Sequence, residues 1–170
     1  IAKEAGVSHG TVYTWFADKE AVLRALVGVI VAEVYAALAI GDEVPEPQHR
    51  MLEANRRYLA AYRRHGRMLE VVEEAAATDA RYRDALNGVR RDHVARVTRD
   101  ITKLQQAGVA AADIDPGVAA GALCAIVEGF GRHWYGRGEQ DDATYDDTTA
   151  VETLSRLWAR GLGLDDRRNP

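Results

Sequence analysis

The placement of proline is the feature that most limits how this chain can fold. Proline occurs only at positions 45, 47, 116 and 170 of the 170 residues. Because proline inside a helix removes a hydrogen bond and clashes with the preceding turn, its absence leaves long stretches open to helix formation. Apolar residues in these stretches recur every three or four residues, which is the period of one helix face. The sequence therefore predicts an all-α fold.

Capping and turn residues predict where the helices begin and end. Ser8, Asp18 and Asp115 are suited to accept a backbone hydrogen bond at a helix N-terminus, and Gly108 is suited to end a helix. A helix tail in residues 1–5 comes before Gly6. Together with the apolar spacing, these signals predict helices over residues 9–16, 18–40, 51–66, 68–77, 79–107, 116–134 and 148–161.

The stretch AGVSHGTVYTWF, residues 5–16, has the parts of a helix-turn-helix. A helix ends at Ala5, a tight turn surrounds Gly6, and a short second helix follows Ser8. We expect apolar side chains to fill the space between the two helices, namely Val7, Val12 and Phe16. In a helix-turn-helix the second helix enters the major groove of DNA, so the opposite face of the short helix is the candidate DNA-binding surface.

The exposed face of this short helix offers hydrogen-bonding groups to DNA. Tyr13 has a hydroxyl for a phosphate, and Gly10 lets the helix approach the groove closely. Lys19 lies in the first turn of the next helix, against the helix dipole, a misfit that a bound phosphate would relieve. The alternative for Lys19 is a solvated side chain offset by Glu20. The side chains that could reach base edges or the backbone are those of His9, Thr11 and Thr14.

The segment IAKEAGVSHGTVYTWFADKEAVLRAL, residues 1–26, resembles the DNA-binding signature of the TetR family of transcriptional regulators. The similarity lies in the "IA…AGVS" turn, the following "GTVY…F" and the "ADKE…L" helix start. It implies that one more helix precedes Ile1 and that Trp15 lies beside the core. Carried over by position, the DNA-contacting residues are Ser8, His9, Gly10, Thr11, Tyr13, Thr14 and Lys19.

The resemblance also implies a domain organisation and a function. Residues 1–26 are the DNA-binding helix-turn-helix, continuous with a linking helix over 18–40, and residues 27–170 are the effector-binding and dimerisation domain. The implied function is a ligand-responsive transcriptional regulator, most often a repressor. As a homodimer it would bind a near-palindromic operator in double-stranded DNA, and a small apolar or amphipathic effector would release it. A helical ligand-binding dimer without DNA binding remains an alternative.

Two further sets of residues follow from the apolar faces together with the resemblance. The predicted effector-binding residues lie on inward faces of the middle helices: Tyr58, Leu59, Tyr62, His93, Val97, Ile126, Phe130 and Trp134. Plain core packing explains each of these side chains equally well. The predicted dimerisation residues lie on the last two helices: Leu123, Val127, Val151, Leu154 and Trp158.

Other protein classes fit the sequence less well. Glu46 and His49 give one Glu-x-x-His pair, whereas a di-iron bundle needs two, so we expect no metal site, no cofactor and no enzyme activity. The most apolar stretch, residues 21–40, contains Arg24 and Glu33, which argues against a membrane span. With its single cysteine, Cys124, and no signal peptide, the chain is expected in the cytoplasm. The net charge of -4 predicts modest nonspecific affinity for DNA.

Overall fold

The computed structural model describes residues 6, 8–36, 46–136 and 146–164, and these residues are helical apart from short connections. The α-helices in these ranges are α1 His9–Trp15, α2 Lys19–Ala36, α3 Pro47–Thr78, α4 Ala80–Gln106, α5 Pro116–Gly131 and α6 Asp147–Gly161. A π-helical turn, Arg132–Gly136, extends α5. The described residues contain no strand, and the predicted all-α fold class is confirmed.

The predicted capping residues begin and end helices as expected. Ser8 Oγ accepts a backbone hydrogen bond at 3.1 Å, Asp18 Oδ1 at 2.6 Å and Asp115 Oδ1 at 2.8 Å. Gly108 lies just beyond the end of α4 and has a φ of 67°. Residues other than glycine rarely adopt this left-handed backbone conformation. These local signals therefore fix where α1, α2 and α5 begin and where α4 ends.

The prediction of two helices over 51–66 and 68–77 is wrong, because α3 is one continuous helix of 32 residues. Gly66 was expected to end the first helix, yet Gly66 is buried inside α3. Tyr62 and Leu69, on either side of Gly66, are buried as well. Burial of these side chains against other helices offsets the weak helix propensity of one glycine, so the helix continues through it.

Several other helix ends differ from expectation, and α3 begins at Pro47 rather than at residue 51. The helix predicted over 116–134 is α-helical only to Gly131, and Trp134 lies on the π-helical turn. The last helix begins at Asp147, with Asp146 Oδ2 accepting from the Thr149 N–H at 3.1 Å. The last residues of the predicted linking helix, 37–40, lie outside the described residues, as do Val7 and the helix tail predicted for residues 1–5.

The helices enclose a main core and a smaller apolar cluster. The main core contains side chains from each of the helices α2, α3, α4, α5 and α6. Its most buried members include Val34, Leu59 and Ala120. The smaller cluster packs the first half of α2, through Val27 and Val31, against the end of α3 and the start of α4. Because α2 belongs to both clusters, it connects the short helix α1 to the rest of the chain.

A helix that crosses a bilayer must be both long and apolar along its whole length. None of the helices in the described ranges meets both conditions.

Candidate nucleic-acid interface and ligand cavity

The short helix α1 presents a mostly exposed surface of small and hydroxyl-bearing residues. The Ser8 and Thr11 hydroxyl oxygens lie 2.8 Å apart, and the Thr14 hydroxyl donates to the Gly10 carbonyl at 3.1 Å. Predicted DNA-binding residues that are exposed are Ser8, Gly10, Thr11, Tyr13, Thr14 and Lys19. His9 is the first residue of α1, but its side chain lies outside the described residues, as does that of Val12.

The aromatic residues of this region occupy three different environments. Phe16 is half-buried, which agrees with its expected place between helices. Tyr13 is 42% exposed, whereas Trp15 is 80% exposed. The expectation that Trp15 lies beside the core is therefore wrong in the part of the chain described. Trp15 follows Thr11 by four residues, so it lies on the same side of α1 as a predicted DNA-contacting residue.

Lys19 and Glu20 begin α2 and have separate environments. The Glu20 carboxylate contacts Arg24 at 3.2 Å and also contacts Arg81 on α4. Tyr82 on α4 donates a hydrogen bond to the Glu20 carbonyl at 3.4 Å. Glu20 is thus engaged with two arginines, and no ion pair within the described ranges involves Lys19.

A cavity lies among α2, α3, α4, α5 and α6. It encloses about 40 Å³ and is lined by aromatic, apolar and charged side chains, including Tyr35, Tyr58, His93, Cys124 and Trp158. A second space of about 10 Å³ shares Tyr35 and Tyr58 with the first and adds Tyr62. Sites for drug-sized ligands usually measure about 300–1,000 Å³. A ligand of that size would therefore require the surrounding helices to move apart.

Charged residues meet where the two spaces adjoin. The Arg90 guanidinium on α4 contacts the Glu128 carboxylate on α5 and lies 3.4 Å from the Glu73 carboxylate on α3. Arg132 lies 3.6 Å from Glu73 and is half exposed. This group ties three helices together through ion pairs that are largely shielded from water, where electrostatic interactions are stronger than at the surface.

Three titratable groups of the cavity wall, Tyr35, Cys124 and His93, are held in their neutral forms. Burial, reinforced by Glu128, raises the pKa of Tyr35 to about 12 and that of the Cys124 thiol to about 12. Burial and the nearby Arg96 lower the pKa of His93 to about 4. Arg96 Nη2 lies 2.9 Å from His93 Nδ1, which accepts a hydrogen bond only when that nitrogen is unprotonated. At neutral pH, none of these three groups adds a charge to the cavity.

Only some of the predicted effector-binding residues line the cavity. Tyr58, Tyr62 and His93 do. Ile126 is 45% exposed, so its side chain does not point to a cavity inside the chain. Those that pack elsewhere in or beside the main core are Leu59, Val97 and Phe130, with the Trp134 ring centred 6.0 Å from that of Phe130.

The predicted effector-binding residues did not include Tyr35, Arg90 or Glu128, which line the cavity. The sequence does contain a signal for two of them, Arg90 and Glu128. Arg90 comes four residues after buried Leu86, and Glu128 comes four residues after Cys124, so each charge falls on an inward-facing stripe. A charged residue at a stripe position is a better indicator of a polar site than an aromatic one, because burying a charge without a partner is costly.

The predicted dimerisation residues are core residues of the single chain. All five are less than 9% exposed: Leu123, Val127, Val151, Leu154 and Trp158. Their side chains face other helices of the same chain, so in this structure these five residues are not exposed on a surface that a second chain could meet. The large apolar side chains that α5 and α6 expose are instead Val118, Ile126 and Leu157.

Comparisons with known proteins agree with the position of the helix-turn-helix segment. Residues 1–26 match the family model described as "Bacterial regulatory proteins, tetR family". None of the curated proteins compared with the chain matches it.

Several solved structures share the fold. The TetR family transcriptional regulator PfmR from Thermus thermophilus superposes with a TM-score of 0.70 at 18% identity, over 95% of this chain and 86% of that one. SCO3833 from Streptomyces coelicolor, a member of the TetR transcriptional regulator family, superposes with a TM-score of 0.66 at 21% identity, over 96% of this chain and 79% of that one. The fatty acid degradation regulator FadR from Bacillus halodurans superposes with a TM-score of 0.67 at 18% identity, over 99% of this chain and 84% of that one.

The sequence match and the fold cover complementary parts of the chain. The family model accounts for the segment that contains α1 and the start of α2, and the superpositions extend over nearly all the remaining helices. The chain therefore combines a segment, residues 1–26, that is similar to the TetR family model with an all-α fold like that of solved TetR-family transcriptional regulators.

Proposed function

We propose that this chain is a ligand-responsive transcriptional regulator, acting as a repressor, that binds operator DNA through α1 and the start of α2. The observation that carries the proposal is the match of residues 1–26 to the TetR-family DNA-binding model. The exposure of Thr11, Tyr13 and Lys19 in this segment supports it, because contacts to DNA need accessible donors. In this proposal the DNA-binding unit is residues 1–26, and residues 27–170 bind the effector and form the homodimer.

The effector site in this proposal is the cavity around Tyr35 and Tyr58. Helix α2 is the connection between this site and DNA. Its first turn follows α1 directly and reaches Arg81 of α4 through Glu20, while Tyr35 near its other end lines the cavity. An effector that separates the helices around Tyr35 would therefore shift α2, and with it the position of α1. Such an effector must bind the DNA-free conformation more tightly, since equal affinity for both conformations shifts nothing.

The test is DNA binding by the full-length protein. Footprinting on the DNA that flanks its own gene is expected to show protection over a near-palindromic site, because a symmetric dimer reads two half-sites. Tyr13→Phe and Lys19→Ala are expected to weaken binding to specific and random duplexes alike. Lys19→Ala should also reduce the slope of log affinity against log salt by about one, as expected for one lost phosphate contact.

Lys103→Ala is the matched control, since Lys103 is also exposed but lies in the last turn of α4. It should leave both the affinity and the salt slope unchanged. Substitutions at Thr11 or Thr14 should change which sequences are preferred. No protection of any DNA by the full-length protein would favour the alternative, a helical ligand-binding dimer without DNA binding. Unchanged affinity in both phosphate-contact variants would refute the assigned contacts.

A further inference from the structure

Two residues that line the cavity each have a buried N–H group without a hydrogen-bond partner within the described residues. These groups are the Nε of Arg90 and the Nε1 of Trp158. Trp158 is only 8% exposed, so its indole cannot turn to bulk solvent without disrupting the core. Both nitrogens can donate a hydrogen bond and neither can accept one. Leaving a buried donor unpaired is unfavourable, so the wall of this cavity favours an occupant that carries hydrogen-bond acceptors.

The charges around the cavity determine which hydrogen-bond acceptors it can bind. Arg90 is the cation that lines it, and Arg90 already has two carboxylates beside it, Glu128 and Glu73. Arg132 contacts Glu73 from the surface side, where water screens it. Tyr35, His93 and Cys124 contribute no charge at neutral pH. A carboxylate that reaches the Arg90 side of the cavity would therefore be a third negative group beside one half-buried cation.

We propose that this cavity selects an uncharged ligand that presents a carbonyl-type oxygen to the Arg90 and Trp158 N–H groups, and that Glu128 excludes carboxylates. The inference rests on the proposed function in one respect, namely that the cavity is the effector site. It adds the chemical class of the ligand and the residue that determines specificity. Ketones, esters, lactones and amides have the required oxygen, and free carboxylic acids are ionised at neutral pH and are rejected.

The size of the cavity limits which part of a ligand the described helices can enclose. A space of about 40 Å³ accommodates a polar group of a few atoms rather than a long chain. The carbonyl end of the ligand fits this space, and an attached apolar chain must separate the helices around it. The experiment therefore varies the length of the apolar chain, and at each length it compares a charged polar end with an uncharged one.

The experiment compares isomeric esters and carboxylates, which match in atoms but differ in charge. Methyl pentanoate with hexanoate, methyl heptanoate with octanoate, and methyl nonanoate with decanoate are titrated into the full-length protein at pH 7.5 by calorimetry. At the chain length that binds best, the ester is expected to bind at least tenfold more tightly than its isomer. Tighter binding of the carboxylate would overturn the proposal. So would failure of every ester to bind at millimolar concentration, in which case the two donors serve buried water.

Two substitutions test the named residues. Glu128→Gln removes one negative charge at nearly constant size, so the ratio of ester to carboxylate affinity should fall at least tenfold. Glu152→Gln, at an exposed position of α6, is the matched control and should leave the ratio unchanged. Trp158→Phe removes the indole N–H, so ester affinity should fall roughly five- to tenfold while nonane affinity is retained. The comparison variant is Trp134→Phe. An unchanged ratio in Glu128→Gln would refute the role of Glu128 even if Trp158→Phe failed to fold.

DNA footprinting separates this proposal from the proposed function. If the protein binds DNA but prefers carboxylates, the ligand class is wrong and the DNA-binding function stands. If the protein prefers esters but protects no DNA, the ligand class stands and the regulator function is wrong.

Discussion

His93 is a half-buried imidazole whose surroundings keep it neutral. Its ring lies 5.8 Å from that of Tyr35 in an edge-on arrangement, and Arg96 lies beside its Nδ1. Burial first and Arg96 second lower the pKa of His93 to about 4 from its ordinary value of 6.5. A group with this shift binds its proton in the unfolded chain at a higher pH than in the folded chain. Folding is therefore opposed by protonation of His93 in acid.

The pH dependence of stability tests this effect. The penalty from His93 is absent above about pH 6.5 and grows as the pH falls from there towards 4. His93→Gln should remove it, so the variant should lose less unfolding free energy than the wild type across this window. The difference in slope can reach about 1.4 kcal/mol per pH unit for one proton. Urea titrations at several pH values provide the measurement. His49→Gln, at an exposed position of α3, should follow the wild type, and a parallel decline in His93→Gln would contradict the argument.

At the residue scale, the sequence predicts which side chains face inward more accurately than it predicts the role of each side chain. His93 and Tyr58 were placed correctly on inward faces because helical periodicity reports burial directly. Periodicity does not report where packing is incomplete, so it could not separate cavity residues from filled core. The exposure of Trp15 was missed for a related reason: a large aromatic residue is usually buried, and this one lies to the side of a helix only seven residues long.

Close packing between α3 and α5 depends on Gly131. A Cβ at this position would lie 3.0 Å from Tyr62 Cγ, which is tighter than nine in ten Cβ contacts in proteins. Tyr62 is only 4% exposed and is held against Tyr58, so its ring has little room to move aside. The glycine therefore lets two helices approach each other at the edge of the cavity.

Gly131→Ala is accordingly expected to destabilise the fold by about 1–3 kcal/mol, which is the usual cost of overpacking a core. Gly121→Ala is the control on the same helix, because a Cβ there would meet nothing within 4 Å. That variant should be stabilised by up to about 1 kcal/mol through the better helix propensity of alanine. Thermal unfolding of both variants is the measurement. Equal stability of the two would show that α5 can move away from Tyr62.

At the element scale the sequence predicts helix ends where a local residue determines them. Ser8, Asp18, Asp115 and Gly108 act through bonds to their own neighbours, so their effect does not depend on the rest of the fold. Gly66 misled the prediction because the continuity of α3 is stabilised by tertiary contacts at residues before and after it. The end of α5 was missed because Phe130 and Trp134 continue the four-residue apolar spacing from α5 into the π-helical turn.

The whole molecule has an apolar surface on its last two helices that the single chain does not cover. Val118 is 72% exposed, Ile126 45% and Leu157 53%. Dimerisation through these helices is implied by the TetR resemblance, and the structure changes only the side chains that can take part. A two-fold interface would place each of these residues against the second chain.

Leu157→Glu is therefore expected to separate the proposed homodimer into folded monomers. Each two-fold dimer would bury two added carboxylates in an apolar seam, which should raise the dissociation constant by on the order of 100-fold or more. Sedimentation velocity measures the association, and circular dichroism checks that the helices persist. Val71→Glu on α3 is the control, because Val71 is also an exposed apolar residue, at 39%, but lies outside the last two helices. It should leave the association unchanged.

Leu154→Glu distinguishes a surface effect from a core effect. Leu154 is 5% exposed and belongs to the main core, so a glutamate there should unfold the chain rather than release an intact monomer. Folded monomers from Leu157→Glu together with unfolded protein from Leu154→Glu would place the dimer seam on the outer face of α6. A dimer that survives Leu157→Glu would show that α6 does not contribute this face to the seam. Monomeric Leu157→Glu should also bind the operator poorly, because one α1 then reads only one half-site.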